Sequence, residues 1–174
     1  MRYNLSADSV FEELTPRLYD IDGDGDDEIF LVRSNLYDGA AVSVLTVGAT
    51  GLEVFGEAYP IGLAHLWISP LDAADFDGEG VMEVAAMVAP HLQGLPSFYN
   101  RERQRLKQFA AAPGFSTHYI DSSILGMSVI LDAHSDGRPG IVLPSLDRET
   151  LYPVGFDDPS KLKSSKPCIM TVKS

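Results

Sequence analysis

Cysteine is nearly absent from this chain. Cys168 stands alone, which excludes an intrachain disulfide and a thiolate metal cluster. Long apolar runs are missing as well. No stretch approaches the roughly 20 residues a helix needs to cross a bilayer, so no transmembrane segment is expected. The opening MRYNLSADSVFEELTP lacks the basic, apolar and small-residue order of a secretory signal. The expectation is a protein not secreted in this form, or one preceded by an upstream segment. Positive charge is scarce: 13 lysines and arginines face 25 acids, for a net −12. The last fourteen residues hold four lysines and no acid, so the preceding 160 carry −16, the −12 of the whole less the +4 of the tail. A field of that sign repels nucleic acid and anionic lipid and attracts cations. No nucleic-acid partner is expected. Signature motifs of catalysis are also missing: there is no G-x-S-x-G, no H-E-x-x-H and no P-loop.

What is present suits one domain with a sizeable core: 174 residues, 45% of them hydrophobic. One feature dominates. In DIDGDGDDE, Asp20 to Glu28, six of nine residues are acidic and two are glycine. The pattern returns. Asp75 opens DFDGEGVME, 55 residues later, and Asp132 opens DAHSDGRPG, 57 residues after that. Each copy has Asp first, an acid fifth and Gly sixth. Each is flanked by short apolar stretches, so the chain reads as an internal repeat.

The flanks assign the secondary structure. IFLVRS and IVLPS are short, β-branched and bounded by turn residues, hence strands. AVSVLTV and GLEVFGEA, joined by Gly48-Ala49-Thr50, read as a hairpin. A unit is then strand, acidic loop, strand, strand, strand. Three units fit, at about 16–60, 67–115 and 126–173, with 161–174 a basic tail that is partly the last strand. Four-stranded repeats of this length make the fold class all-β, with blades of the β-propeller kind. RERQRLKQFAA (Arg101 to Ala111) has local helix propensity, but the repeat frame makes it a hairpin. NLYDG (Asn35 to Gly39) reads as a turn and HLQGLPSFYN (His91 to Asn100) as an interstrand loop. FDDPSKLKSSKP (Phe156 to Pro167) reads as a polar stretch, mobile or held by a partner, with Asp157-Asp158 in a solvated turn.

Carboxylates about 4 Å apart repel by roughly 1–4 kcal/mol per pair. Several that converge call for a cation, and hard oxygens at alternating places suit Ca²⁺. In the first loop the ligands read as Asp20, Asp22, Asp24 and Glu28 by side chain and Asp26 by its carbonyl. In the second they are Asp75, Asp77, Glu79 and Glu83, with Val81 by its carbonyl. Glu79 replaces the fifth-place Asp and changes the reach. The third loop has His134 third and Gly140 ninth, leaving only Asp132 and Asp136, so it is expected to survive as a turn without metal. An EF-hand is excluded, because its loop needs Glu at the twelfth place and flanking helices; counting from Asp20, Leu31 stands there.

On these loops the chain resembles the FG-GAP/VCBS repeat proteins, and more narrowly their bacterial members, through VFEELTPRLYDIDGDG, ADFDGEG, VAPH and APGFSTH. These are β-propellers with D-x-D-G-D-G-x-x-E/D calcium loops between the first two strands of a blade, as in the integrin α head. The Phe-Gly and Gly-Ala-Pro signatures of the integrin version are not present in clear form. The resemblance implies a propeller fold, one or two Ca²⁺ ions, and a cell-surface or periplasmic location. The missing signal points instead inward, to an organellar or complex-associated place. Three blades do not close a ring of six to eight. Further blades, another copy or another subunit would complete the surface, and VFEELTP is a candidate added strand.

The expected function is therefore a non-catalytic, calcium-binding module for protein binding or scaffolding, as an accessory subunit of a larger complex. A glycan partner is the weaker option. The alternative is part of a propeller-class glycan-acting enzyme. For that reading His91 and His118 are the residues to watch, since loops converging on one propeller face would bring them together. Trp67 and Tyr99 read as blade-packing residues rather than a sugar platform.

Overall fold

β-branched and aromatic runs punctuated by Gly, Asp and Pro fold here into strands alone. The computed structural model describes residues 2–12, 14–123, 125–132, 135–158 and 161–164, and no helix occurs among them. His134, Cys168 and the tail 165–174 lie outside the described residues.

The strands come in fours. The first set is β2 (Arg17–Tyr19), β3 (Glu28–Asn35), β4 (Gly39–Gly48) and β5 (Gly51–Glu57), preceded by a short β1 (Ser9–Phe11). The second is β6 (Ile68–Ala74), β7 (Glu83–Val88), β8 (Leu95–Glu102) and β9 (Arg105–Ala111). The third is β10 (Val129–Leu131), β11 (Gly140–Pro144), β12 (Leu151–Asp158) and β13 (Lys161–Ser164). Within each set neighbours pair antiparallel, as a meander. The first two meanders join into one nine-stranded sheet through a single parallel bridge, Glu57 to Arg105, while the third forms its own sheet. The architecture is all-β, of propeller-like blades that do not close a ring.

Two short strands share the outer edge of β3. β2 covers its start, Tyr19 to Glu28 through Arg17 to Phe30, and β1 covers its end, Phe11 to Arg33 through Ser9 to Asn35. Val10 and Phe11 of the VFEELTP stretch are thus an added strand.

Arg101 to Ala111 is a hairpin. Arg103 takes a left-handed φ of 60° at its turn, and Leu106 is buried against the first core. Three expectations need correction. Of HLQGLPSFYN only the start is loop: Leu95 onward is β8, and Phe98 is fully buried. Pro96 is tolerated as the second residue of the strand, opposite Met87. FDDPSKLKSSKP is not a free polar stretch, since Phe156 is buried in β12 and Lys161 to Ser164 pair with β12 as β13. Asp157-Asp158 end β12 at a β-bulge rather than occupying a turn.

Two apolar cores separate the three meanders. Phe30, Val32, Val42, Val44 and Phe55 of the first pack against Ile68, Val84, Ala86, Tyr99 and Leu106 of the second. Leu71, Ala85, Met87 and Phe98 of the second pack against Ile141, Leu143, Val154 and Phe156 of the third. Alternate residues of β7 therefore enter opposite cores, Val84 and Ala86 one way, Ala85 and Met87 the other. A strand covered on both faces reads as a continuous apolar run, which is what EVAAMV is.

This topology sorts the connections by end. Loops after the first strand of each blade, 20–27, 75–82 and the described residues 132 and 135–139, lie at one end. Loops after the second strand (36–38, 89–94, 145–150) and the described parts of the interblade connectors (58–67, 112–123 and 125–128) lie at the other, because successive strands run antiparallel.

Candidate metal centre

Each acidic loop leaves a strand and must turn back within eight residues to reach the next. Glycine at the fourth and sixth places makes this possible: φ is 75° and 94° at Gly23 and Gly25, and 79° and 84° at Gly78 and Gly80. The opening Asp ties the turn. Asp20 Oδ2 accepts from the Gly25 amide at 3.1 Å, and Asp75 accepts from the Gly78 and Gly80 amides at 2.9 and 3.0 Å. The closing Glu is the first residue of the following strand. Glu28 and Glu83 are buried, and each Oε2 accepts an amide just inside the loop, from Ile21 and Phe76 respectively, at 2.9 Å. Glu28 also accepts from Thr46 Oγ1 at 3.0 Å.

Folding this way brings Asp20, Asp22 and Glu28 together, with one oxygen of each within 4.8 Å of the others. Asp75, Asp77 and Glu83 form the matching group. At that distance each pair of charges repels by about 1–3 kcal/mol. Asp24 and Glu79 stand outside these groups. Asp24 Oδ1 accepts from the Asp26 amide at 2.9 Å, and Glu79 donates its amide to Asp77 Oδ1 at 2.9 Å. Val81, assigned by its carbonyl, is an exposed residue of the second loop. The third loop closes in the same way, Asp132 accepting from Asp136 and Gly137 and Asp136 from Arg138.

Two observations bear on a cation. Asp20 Oδ1 is buried and has no hydrogen-bond partner, a costly state for a carboxylate oxygen. Burial, with the Asp77 charge added, pushes the Glu83 carboxyl up to about 7. Both are relieved by a hard cation seated among the three oxygens, so the residues present fit Ca²⁺.

Residues 20–86 match the family model of the FG-GAP-like repeat. This segment is similar to an FG-GAP-like repeat. The FG-GAP match spans both acidic groups, from Asp20 to beyond Glu83. No curated protein and no solved structure matches the chain.

The end opposite the FG-GAP loops holds what the sequence left open. The structure brings His91 and His118 together, with ring centroids 4.5 Å apart. Trp67 is not a core residue. It is 37% exposed and packs edge-on against both histidines. Tyr99, by contrast, is buried in the first core. A close approach at this end is a feature the sequence reading missed. A β-carbon at Gly94 would lie 1.3 Å from the Phe115 carbonyl oxygen, and one at Gly39 2.3 Å from that of Leu63. Each glycine lets an interblade connector lie on the loop. The signal was there: both follow their buried Glu, Glu28 or Glu83, by eleven residues.

Proposed function

We propose that this chain is a non-catalytic, calcium-stabilised propeller module that binds protein through the outward faces of its end blades. The buried, partnerless Asp20 Oδ1 within the Asp20–Asp22–Glu28 group carries the calcium reading. Asp20, Asp22 and Glu28 would hold one ion, with Asp24 and the Asp26 carbonyl within the same loop. Asp75, Asp77 and Glu83 would hold a second, with Glu79 and the Val81 carbonyl beside them. The ion neutralises converging charge and fixes the turn between the first two strands of a blade.

The faces supply the binding role. On the side of the first blade away from its core Leu18 and Val47 are 59% and 54% exposed, while Leu31 and Leu45 of the same side are buried. Val129 and Leu131 occupy the corresponding side of the third, 52% and 42% exposed. Apolar sheet faces of this kind suit another blade, from a second copy or a further subunit, better than a glycan.

Calorimetric Ca²⁺ titration of the chelator-stripped chain, with thermal unfolding before and after, tests the metal. One or two equivalents and a raised melting temperature are expected. No heat and no stabilisation would sink the calcium reading. Light scattering tests the faces: concentration-dependent association is expected, weakened by Val129→Lys with Leu131→Lys. A glycan-acting enzyme is the second reading, favoured by the His91–His118 contact alone.

A further inference from the structure

Three histidines of this chain, His65, His91 and His118, line one cavity of about 540 Å³ with Trp67, Pro90 and Asp121. It lies at the blade end opposite the acidic loops. Each histidine comes from a different segment: His65 from the connector between the first and second blades, His91 from the β7–β8 loop, His118 from the connector to the third. The backbone around it is held in left-handed conformations at three non-glycine residues, His65 (φ 68°), Ala89 (φ 48°) and Asp121 (φ 63°). Such positions cluster where surrounding structure fixes a site.

The chemistry is in the ring nitrogens. His118 is 1% exposed. Its Nδ1 lies 2.8 Å from Thr117 Oγ1, which leaves Nε2 as the free edge. Nε2 has no hydrogen-bond partner, and neither ring nitrogen of His91 has one, although all three atoms are buried. The Leu125 carbonyl favours the protonated His118 ring but closes no hydrogen bond to Nε2. Edge-on ring contact can satisfy one N–H. It cannot satisfy three nitrogens, at least one of which on each neutral ring is a bare lone pair. Unpartnered buried polar groups are costly and few in a folded protein. Burial, aided by the neighbouring His91, lowers the pKa of His118 and so keeps its ring neutral and its lone pair available.

From this geometry we propose that His91 and His118 bind a divalent transition-metal ion of the zinc class, distinct from the calcium loops. Imidazole nitrogen suits such ions and is a poor match for calcium. The spacing fits. With metal–nitrogen bonds of about 2.0–2.1 Å, each ring centroid lies about 3.2 Å from the ion, and centroids about 4.5–5.2 Å apart subtend roughly 90–109°. The rings stand 4.5 Å apart and nearly perpendicular, at 88°. Such an ion would take its remaining ligands from water or another small oxygen donor in the cavity that both histidines line. Trp67 walls the ion on one side and limits its access to solvent.

The test is Zn²⁺ titration of the full chain with its acidic loops saturated by Ca²⁺, read by calorimetry at pH 7.5. One equivalent is expected, lost in His118→Ala and in His91→Ala, and kept in Asp20→Asn. Because an alanine variant can disturb the fold, the unaltered chain is also followed by ¹⁵N correlation of the histidine rings. Coordination shifts one nitrogen of His91 and Nε2 of His118 on adding Zn²⁺. Zinc that binds without moving those resonances, or that binds equally to the double alanine variant, overturns the proposal. So does absence of binding at millimolar zinc.

Discussion

Glu83 is where burial and charge compete most directly. Its carboxyl is raised from 4.5 to about 7, so in the calcium-free chain the folded state holds a proton the unfolded state has released. The sign follows: stability is greatest below about pH 4.5 from this group and is lost as pH rises toward 7. Denaturant midpoints of the stripped protein at pH 5 and 7.5 should show that fall, and Glu83→Gln should flatten it. Calcium should remove the same pH dependence by replacing the proton. In the first loop, Asp20→Asn should cost one equivalent of calcium and a share of the thermal stabilisation while leaving the calcium-free chain no less stable. The two three-carboxylate groups were legible from the sequence because their spacing is local: Asp, Asp and Glu at the first, third and ninth places meet wherever the turn closes, whereas Asp24 and Glu79, read from the sequence in the same loops, stand outside the groups. The orphaned Asp20 oxygen was not legible, since it depends on which amides the folded turn leaves over. The His91–His118 contact, between residues 27 apart, was legible only as the result of loops converging on one face, because their approach depends on blade packing.

At the scale of elements, the strand order within a blade was readable because each strand is bounded by turn chemistry. Arg101 to Ala111 shows why the repeat frame outranks local propensity: alternate burial of Leu106 and exposure of Arg105 and Lys107 fit a strand against a core. The β8 start and the last two strands were harder. Pro96 and the polar Asp-Asp-Pro-Ser run are breaker signals, and only the tertiary burial of Phe98 and Phe156 overrides them. Phe98 packs edge-on against Phe76 at 5.2 Å and Phe156 at 5.0 Å. Phe98→Ala should therefore cost about 3–5 kcal/mol, measured by urea unfolding in calcium. The connector contact makes a sharper comparison. Gly62→Ala meets open space and should cost about 1–2 kcal/mol from its φ of 74° alone. Gly94→Ala must displace the Phe115 carbonyl, so its midpoint should fall further, and zinc binding at His118, three residues beyond, should weaken with it.

Across the whole molecule, charge and apolar surface divide the work. The net −12 gives the chain a field that attracts cations, while Leu18, Val47, Val129 and Leu131 are exposed apolar residues of the end blades. The two proposed calcium loops and the proposed histidine site differ in end and in ligand type, oxygen at one end and nitrogen at the other, so chelators of different selectivity should empty the two kinds of site separately. The middle blade also has a kinetic consequence. Every residue of β7 from Glu83 to Met87 is buried, and apolar layers close over both its faces. Water and hydroxide reach its amides only when a whole neighbouring blade lifts away. Deuterium should therefore enter the two outer blades first and β7 last, on the timescale of global opening, with calcium slowing uptake chiefly at the first turns of the blades it clamps.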